Sequence, residues 1–219
     1  MKDRIITAAA FLLTATGLAT AGTLTDNLYV KGAIGYFFTE DQDFNTGAGG
    51  VGVVDTELSD DWAYTIAVGT EIDSIRLEFE IGTREAEVDI HSAGGADLPG
   101  SDGDNTALSF MINALYDFGE MLGSETISPY AGIGLGVAAV EFEGYTVDGV
   151  PEVLDDEDAS FAFQVIVGGE VDVAEDVGLF LEYVYLNAPE VDVSTTLGDN
   201  GTDIDYETHN IFAGVRYSF

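Results

Sequence analysis

The last nine residues of the chain, 211–219, read IFAGVRYSF, and their pattern is the clearest indication of the fold. Apolar or aromatic residues occupy every second position from Ile211 to Phe219, and the positions between them carry Phe212, a glycine, Arg216 and a serine. A period of two residues predicts a β-strand with two different faces. One face is apolar and ends in two aromatic rings, whereas the other carries a guanidinium group.

The same alternation recurs in seven earlier segments, which we also predict to be strands. Most of the eight segments have about ten residues or more, the length that a tilted strand needs to cross a membrane. The predicted strands are 28–38, 62–72, 75–88, 106–118, 127–142, 161–173, 178–187 and 208–219. Short turns alternate with long polar connections, and an even number of strands places all four long loops on one side of the membrane.

The strand predicted at 75–88 shows the two faces most clearly. Its odd positions up to Ile81 are apolar, whereas Arg76, Glu78, Glu80 and Arg84 share the other face. In a membrane-spanning barrel the apolar face contacts lipid and the polar face lines the interior, the reverse of a soluble barrel. The sequence therefore predicts an all-β fold, an eight-stranded antiparallel transmembrane β-barrel with short periplasmic turns and four long acidic extracellular loops. A soluble lipid-binding barrel with reversed faces is the alternative.

The N-terminus has the features of an export signal. Lys2 and Arg4 precede a mostly apolar stretch, 5–18, which is too short to span a bilayer comfortably. Residues 19–21 read ATA, a small-residue cleavage motif. We therefore predict a signal peptide at 1–21 and the barrel at 22–219, with an uncleaved helical anchor as the alternative. The chain has no cysteine, which excludes disulfides and thiol chemistry.

The charge of the chain is strongly negative, −35, with 6 basic and 41 acidic residues. Such a chain repels phosphates, so nucleic acid is excluded as a partner. By strand parity, every basic residue after position 21 falls on the inner face, together with five glutamates. We predict that they form a charge network in the lumen, which consists of Lys31, Glu71, Arg76, Glu78, Glu80, Arg84, Glu170, Glu182 and Arg216.

Two interpretations of this network remain open. The network is either a polar core that plugs the barrel or a gate in a narrow ion path. We favour the plug because the interior of eight strands is just wide enough for side chains to fill.

The long loops are acidic and contain neither lysine nor arginine. Clustered carboxylates suit Ca²⁺ and Mg²⁺, and Asp155, Asp156, Glu157 and Asp158 are the candidate ligands. Divalent cations bound there would bridge the loops to lipid phosphates. No segment has the spacing of an EF-hand loop, so we favour a solvated surface that tolerates high salt.

The chain resembles the OmpA/Opa-like superfamily of small outer-membrane β-barrels. The closing strand of that family carries an export and assembly signal, and Gly214, Tyr217 and Phe219 fit its spacing, whereas Phe212 departs from the usual polar residue. The resemblance implies the outer membrane of a Gram-negative bacterium, with outer-membrane lipid, lipopolysaccharide and the barrel-assembly machinery as partners, and it implies no cofactor. It also implies roles in envelope integrity, surface interaction or adhesion.

Three functions are compatible with these features. The first is a non-enzymatic structural and surface-interaction barrel with a plugged lumen, and the second is a small, weakly cation-selective channel. The third is an envelope enzyme, which would need a nucleophile and a base within reach of each other. The two histidines are His91, beside a serine in an acidic segment, and His209. Lipid A deacylase barrels use a His-x-Ser pair, but position 211 is isoleucine, so we expect no enzyme.

Overall fold

The computed structural model describes residues 27–39, 42–44, 54–58, 61–93, 96–98, 102–119, 126–147, 150–193 and 202–219. The signal peptide predicted at 1–21 lies outside these ranges, as do Glu40, Asp41, Asp60 and Asp199 of the acidic loops. The strands within them are β1 Leu28–Thr39, β2 Gln42–Phe44, β3 Val54–Leu58, β4 Asp61–Ile72, β5 Ile75–Ala93, β6 Ala96–Leu98, β7 Asp102–Asp117, β8 Ser128–Val147, β9 Val150–Ala174, β10 Val177–Val193 and β11 Thr202–Ser218. In this part of the chain, no helix is long and apolar enough to cross a membrane.

Eight of these strands close into an antiparallel barrel, which confirms the predicted fold. The ring runs β1–β4–β5–β7–β8–β9–β10–β11 and closes where β11 pairs with β1, from Tyr29↔Ser218 to Thr39↔Thr208. The short strands β2, β3 and β6 pair only beyond the end of the barrel, with one another or with the last residues of β5.

The two ends of the barrel differ. We call one the turn end, because the turns Asp73–Ser74 and 175–176 lie there, and the other the loop end. Asp73 has φ 54°, a left-handed conformation that aspartate tolerates better than most residues in a two-residue turn. At the turn end the strands begin and end close to the predicted positions.

At the loop end, most strands continue well beyond the prediction. β9 begins at Val150 instead of 161, and β8 ends at Val147 instead of 142. The two remain paired as far as Val147↔Val150. The prediction of a loop at 143–160 was therefore wrong. Alternation of apolar and polar residues is expected only where one face of a strand contacts lipid. Beyond the membrane both faces contact water, so a strand can remain paired although its sequence does not alternate.

The outer face of the barrel is apolar, and the inner face carries the charges. Ile66 and Ile133 are 63% and 61% exposed, whereas Arg76 and Glu78 are 1% and 2% exposed. The faces are therefore those of a membrane barrel, not the reversed faces of a soluble one.

Aromatic side chains ring the outer face at both ends. Phe38 and Trp62 lie toward the loop end, and Tyr217 and Phe219 lie at the turn end, all exposed on the lipid-facing surface. Tyr217 and Phe219 meet edge to face, with their ring centroids 5.3 Å apart. Such belts mark the two membrane–water interfaces, and they define the part of each strand that crosses the bilayer.

Candidate functional site

The first group of lumen charges lies at the turn end and is centred on Glu170 of β9. One carboxylate oxygen of Glu170 is 3.1 Å from Arg76 Nη1, and the other is 2.6 Å from Arg216 Nη2. Each arginine binds a second acid: Arg76 Nη2 is 3.0 Å from Asp117, and Arg216 Nη1 is 3.0 Å from Glu71. We call these five residues the turn-end cluster. Its two guanidinium groups are thus each shared between two carboxylates, an arrangement that suits their planar forks.

The second group, which we call the lysine cluster, lies further into the lumen. Lys31 Nζ is 3.3 Å from Glu78 Oε2 and 2.5 Å from Glu182 Oε1. Each of these carboxylates also accepts a tyrosine hydroxyl, from Tyr29 at 2.9 Å and from Tyr130 at 2.8 Å. All five side chains are almost fully buried. The charges are therefore compensated by ion pairs and hydrogen bonds together, as buried charges require.

Two inner-face glycines make room for these tyrosines. A Cβ atom at Gly69 would overlap the ring of Tyr29, and one at Gly168 would overlap the ring of Tyr130. The tyrosine rings also connect the two clusters, since Arg76 lies 4.1 Å from the ring centroid of Tyr130. Glycine at these positions therefore allows a large ring to cross a narrow lumen.

A third group surrounds Glu80, which is buried among neutral amides. Asn113 Nδ2 and Gln164 Nε2 each donate to one carboxylate oxygen of Glu80 at 3.2 Å. Gln164 also donates to Asn113 Oδ1 at 2.7 Å. Among the described residues, Glu80 forms no ion pair.

Arg84 lies at the loop end of the lumen, again among neutral groups. Its Nε donates to Asn210 Oδ1 at 2.8 Å, and its Nη1 donates to Ser109 Oγ at 3.2 Å. Within the part of the chain that the structure describes, no carboxylate pairs with Arg84.

Of the nine residues in the predicted network, seven lie in the two ion-pair clusters. Glu80 is bound by side-chain amides instead, and Arg84 lies apart from all of them. Sequence reasoning missed the polar partners that complete these groups, although all of them lie at inward-facing positions of their strands, as the charges do. They are Tyr29, Ser109, Asn113, Asp117, Tyr130, Gln164 and Asn210. Listing every polar residue at an inward-facing strand position would have identified these residues. It would not have shown which of them contact each other.

The acidic run Asp155–Asp158 lies in β9, where Asp156, Glu157 and Asp158 pair with Phe142, Glu141 and Val140 of β8. The side chains of Asp155, Asp156 and Glu157 lie outside the described part of the structure, so the metal site predicted there stays a prediction. Among the side chains that are described, no group of three or more His, Asp or Glu could hold a metal ion.

His209 lies on the outer surface among aromatic rings. Its Nδ1 is 2.6 Å from the hydroxyl of Tyr183, and the ring of Tyr185 is 5.2 Å away, centroid to centroid. His91 lies in the part of β5 that extends beyond the barrel. The two histidines therefore lie on different strands, and the described contacts of His209 are those of an interfacial residue.

The residues of the predicted assembly signal divide between the two faces of β11. Tyr217 and Phe219 are exposed on the lipid-facing side. A Cβ atom at Gly214 would overlap the ring of Phe180 and the carbonyl oxygen of Gly32, so the glycine is also required by packing inside the barrel.

A closed barrel of eight strands, with an apolar exterior, aromatic belts and ionised groups inside, defines the class of small integral membrane β-barrels. Residues 6–219 match the family model described as the outer membrane protein beta-barrel domain, and the chain belongs to this family. It is therefore a protein of the Gram-negative outer membrane, as the sequence predicted.

One curated relative is the outer membrane protein PagN of Salmonella typhimurium, which is 28% identical over 120 residues. The match covers 51% of this chain and 49% of PagN, so it spans about half the length of each protein.

Two solved structures have the same fold. One is OprG from Pseudomonas aeruginosa, with 13% identity, coverage of 90% of this chain and 98% of that chain, and a TM-score of 0.56. The other is Neisserial surface protein A, with 18% identity, coverage of 88% and 97%, and a TM-score of 0.51.

Proposed function

We propose that this outer-membrane barrel is a non-enzymatic structural and surface-interaction protein whose lumen is plugged by its internal charge network. The observation that carries the proposal is the contact of inner side chains across the lumen. Arg76 on β5 reaches Glu170 on β9, with β7 and β8 between these strands, and Gln164 on β9 reaches Glu80 on β5. Side chains that meet across the ring obstruct a continuous aqueous path.

The energetics of the network also support a static plug. Separating a buried ion pair leaves each charge in a poorly solvating interior, at a cost of several kcal/mol. Arg76 and Glu170 are 1% and 4% exposed in their side chains, so an opening that separated them would incur this cost. Small ions passing the lumen would have to break several such contacts in succession.

The surface role is supported by the part of the hairpin β8–β9 that projects beyond the membrane. Phe161 is exposed near the outer aromatic belt, and β9 contains eleven further residues on the loop side of it, from Val150 to Ser160. At about 3.3 Å per residue, this is roughly 35 Å of strand outside the bilayer. Backbone pairing holds the projection together.

The negative charge of the projecting hairpin indicates which kind of partner it would bind. It carries the acidic run Asp155–Asp158 in a chain with a net charge of −35. A field of this sign steers cationic surfaces toward the protein and repels anionic ones. We propose that adhesion to basic partners, and divalent bridges to lipopolysaccharide, use this face.

Single-channel conductance of the refolded barrel in a planar bilayer tests the plug. We expect no discrete openings from the wild type, provided that heat-modifiable electrophoretic migration shows the barrel folded. Arg76→Ala and Glu78→Ala provide the comparison, since each removes one side of the buried contacts. Discrete wild-type openings whose size or selectivity changes in these variants would instead establish the alternative, a weakly cation-selective channel.

A further inference from the structure

The strand β9 has two neighbouring strands inside the barrel but only one beyond it. Its ladder with β10 ends at Asn187↔Phe163, whereas its ladder with β8 continues outward past Tyr145↔Leu154. In the described part of the chain, no strand pairs with β9 on the β10 side beyond Phe163. The segment Leu154–Ala159, which we call the open edge, therefore has one paired side and one unpaired side.

The backbone of the open edge is regular. The pairs Phe142↔Asp156 and Tyr145↔Leu154 are three residues apart in β8 but two in β9, so the extra residue of this bulge belongs to β8. From there to Ala159 the register is continuous. In such a strand every second residue directs its N–H and C=O groups to the unpaired side. An edge without a bulge is a template on which a further strand can pair.

Pro189 explains why β10 does not cover this edge. If the ladder continued in register, Pro189 would face Phe161, and proline has no N–H group to donate. The register of β10 against β11 also shifts between Ala188 and Val191, and a bulge of this kind bends the strand. At this point the contact between the strands comes from a side chain, since Ser160 Oγ donates to Pro189 O. β10 therefore stays paired with β11 and leaves β9.

The sequence of the open edge indicates its occupant. Four of its six residues are acidic, and they form the run Asp155–Asp158. A second copy of this chain is a poor occupant, because pairing two such edges would place two acidic runs side by side, and like charges destabilise a strand pair. An extended segment that contains lysine or arginine has the complementary charge, and opposite charges across a strand pair are favourable.

We propose that the open edge binds an extended, basic peptide segment of a partner protein by strand addition. The inference rests on the surface role proposed above and describes how that role is performed. The backbone of Leu154–Ala159 supplies hydrogen bonds to the added strand, whereas the acidic run favours lysine and arginine side chains. Attraction by charge alone needs only the cationic side chains, so the backbone N–H groups of the peptide distinguish the two modes of binding.

Peptides that differ only in their backbone N–H groups test the proposal. The probe is a capped, fluorescein-labelled hexapeptide of alternating lysine and valine, titrated with the refolded barrel in lipid nanodiscs at constant ionic strength and followed by fluorescence anisotropy. One analogue is N-methylated at every second residue and keeps the donors of one edge, and a second is N-methylated at every residue. We expect the half-methylated analogue to bind like the parent. The fully methylated analogue should bind about tenfold more weakly or worse, because it cannot donate to β9.

Amide hydrogen exchange locates the bound peptide. The parent peptide should slow exchange within residues 154–159, where it would pair with the unpaired backbone groups of β9. The fully methylated analogue should leave exchange in this segment unchanged. Protection that appears elsewhere in the chain, with residues 154–159 unaffected, would overturn the proposal.

Pro189→Ala tests the edge without removing any acidic residue. The new N–H group should let β10 extend its ladder along β9, so that peptide binding weakens severalfold and residues 154–159 become protected without peptide. Pro129→Ala makes the same substitution in β8 at the turn end, and it should bind the peptide like the wild type. Equal binding by the two variants, with residues 154–159 unprotected in both, would contradict the role assigned to Pro189.

The remaining outcomes separate this inference from the proposed surface role. Equal affinity of the parent and the fully methylated peptide would overturn strand addition, and it would leave the acidic hairpin as a surface that attracts basic partners by charge alone. No binding of either peptide, with the barrel shown folded by its heat-modifiable migration, would overturn both strand addition and adhesion to basic partners.

Discussion

The two halves of β9 show how one strand meets two different requirements. From Phe161 to Ala174 the strand faces lipid on one side and the lumen on the other, and its inner face carries Gln164, Gly168 and Glu170 in close contact with other strands. From Val150 to Ser160 the same strand continues beyond the membrane with an acidic sequence, and there it pairs with β8 but not with β10, with two irregularities of register. In the first half the inner side chains are constrained by residues of other strands, whereas in the second half the pairing of the backbone with β8 maintains the strand.

This contrast predicts that sensitivity to substitution falls steeply along β9. Stability should depend most on residues whose loss leaves a buried charge or displaces a buried ring. Stability should depend little on the acidic run Asp155–Asp158, which we expect to affect the binding of external partners instead. Substitutions on this single strand therefore separate the two roles of the protein.

The largest effect is expected for Glu170→Gln. The carboxylate serves both Arg76 and Arg216, and its neutralisation leaves two guanidinium groups with less compensation in the lumen. Loss of one member of a buried ion pair typically costs about 3–5 kcal/mol. Reversible urea unfolding in lipid vesicles would measure the cost, and fluorescence of the one tryptophan, Trp62 on the lipid-facing surface, would follow the transition.

Glu71→Gln is the matched control for this prediction. Glu71 also binds Arg216, but its side chain is 35% exposed, so water can replace it. We expect a loss of about 1 kcal/mol or less. Equal losses for the two variants would contradict the role assigned to Glu170 as the centre of the turn-end cluster.

Position 170 also shows what could be predicted from the sequence. Parity along the strand placed Glu170 and the basic residues on the inner face, because that signal depends only on the two-residue period. Parity does not give the height of a residue in the lumen or the strand opposite it. Those depend on the tilt and stagger of the closed ring, so the pairing of Glu170 with two arginines was not predictable.

Arg84 and the outer half of β9 illustrate two other limits. The sequence grouped Arg84 with the other bases, and only the ring geometry shows that its partners are Asn210 and Ser109. For 150–160, the acidic sequence lacks apolar alternation, and the segment was predicted as a loop. Its strand structure comes from pairing with β8, a long-range contact that a local pattern does not report.

An intermediate effect is expected for Gly168→Ala. The new methyl group would overlap the ring of Tyr130, whose hydroxyl binds Glu182, so the ring and the lysine cluster would have to shift. Overpacking of this kind costs about 1–3 kcal/mol. The same unfolding measurement would detect it.

The adjacent substitution Gly169→Ala is the control. A Cβ atom at position 169 would meet only Ile127 Cγ2, at an ordinary contact distance of 3.5 Å. We expect a change within about 0.5 kcal/mol. If the two alanine variants were equally stable, Tyr130 would have room to move, and the lumen would be packed less tightly than the clusters indicate.

The smallest effect on stability, and the largest on binding, is expected when Asp155, Asp156 and Asp158 become asparagine and Glu157 becomes glutamine. The run lies beyond the outer aromatic belt, where solvent screens its charges, so unfolding should change by about 1 kcal/mol or less. Capture of intact cells by a polylysine-coated surface should fall severalfold. The difference should vanish near 1 M salt, where the screening length is about 3 Å.

Neutralising four acids at the turn end provides the control for that assay, since it removes the same number of charges from the opposite side of the membrane. They are Asp73, Asp172, Glu175 and Asp176, all exposed. These changes should leave capture of cells unaltered, because the turn end is the end that we predict to face the periplasm. If both sets reduced capture equally, net charge alone would be responsible. A loss confined to the run in β9 would assign binding to the projecting hairpin, and it would separate the surface role of this strand from its role in the lumen.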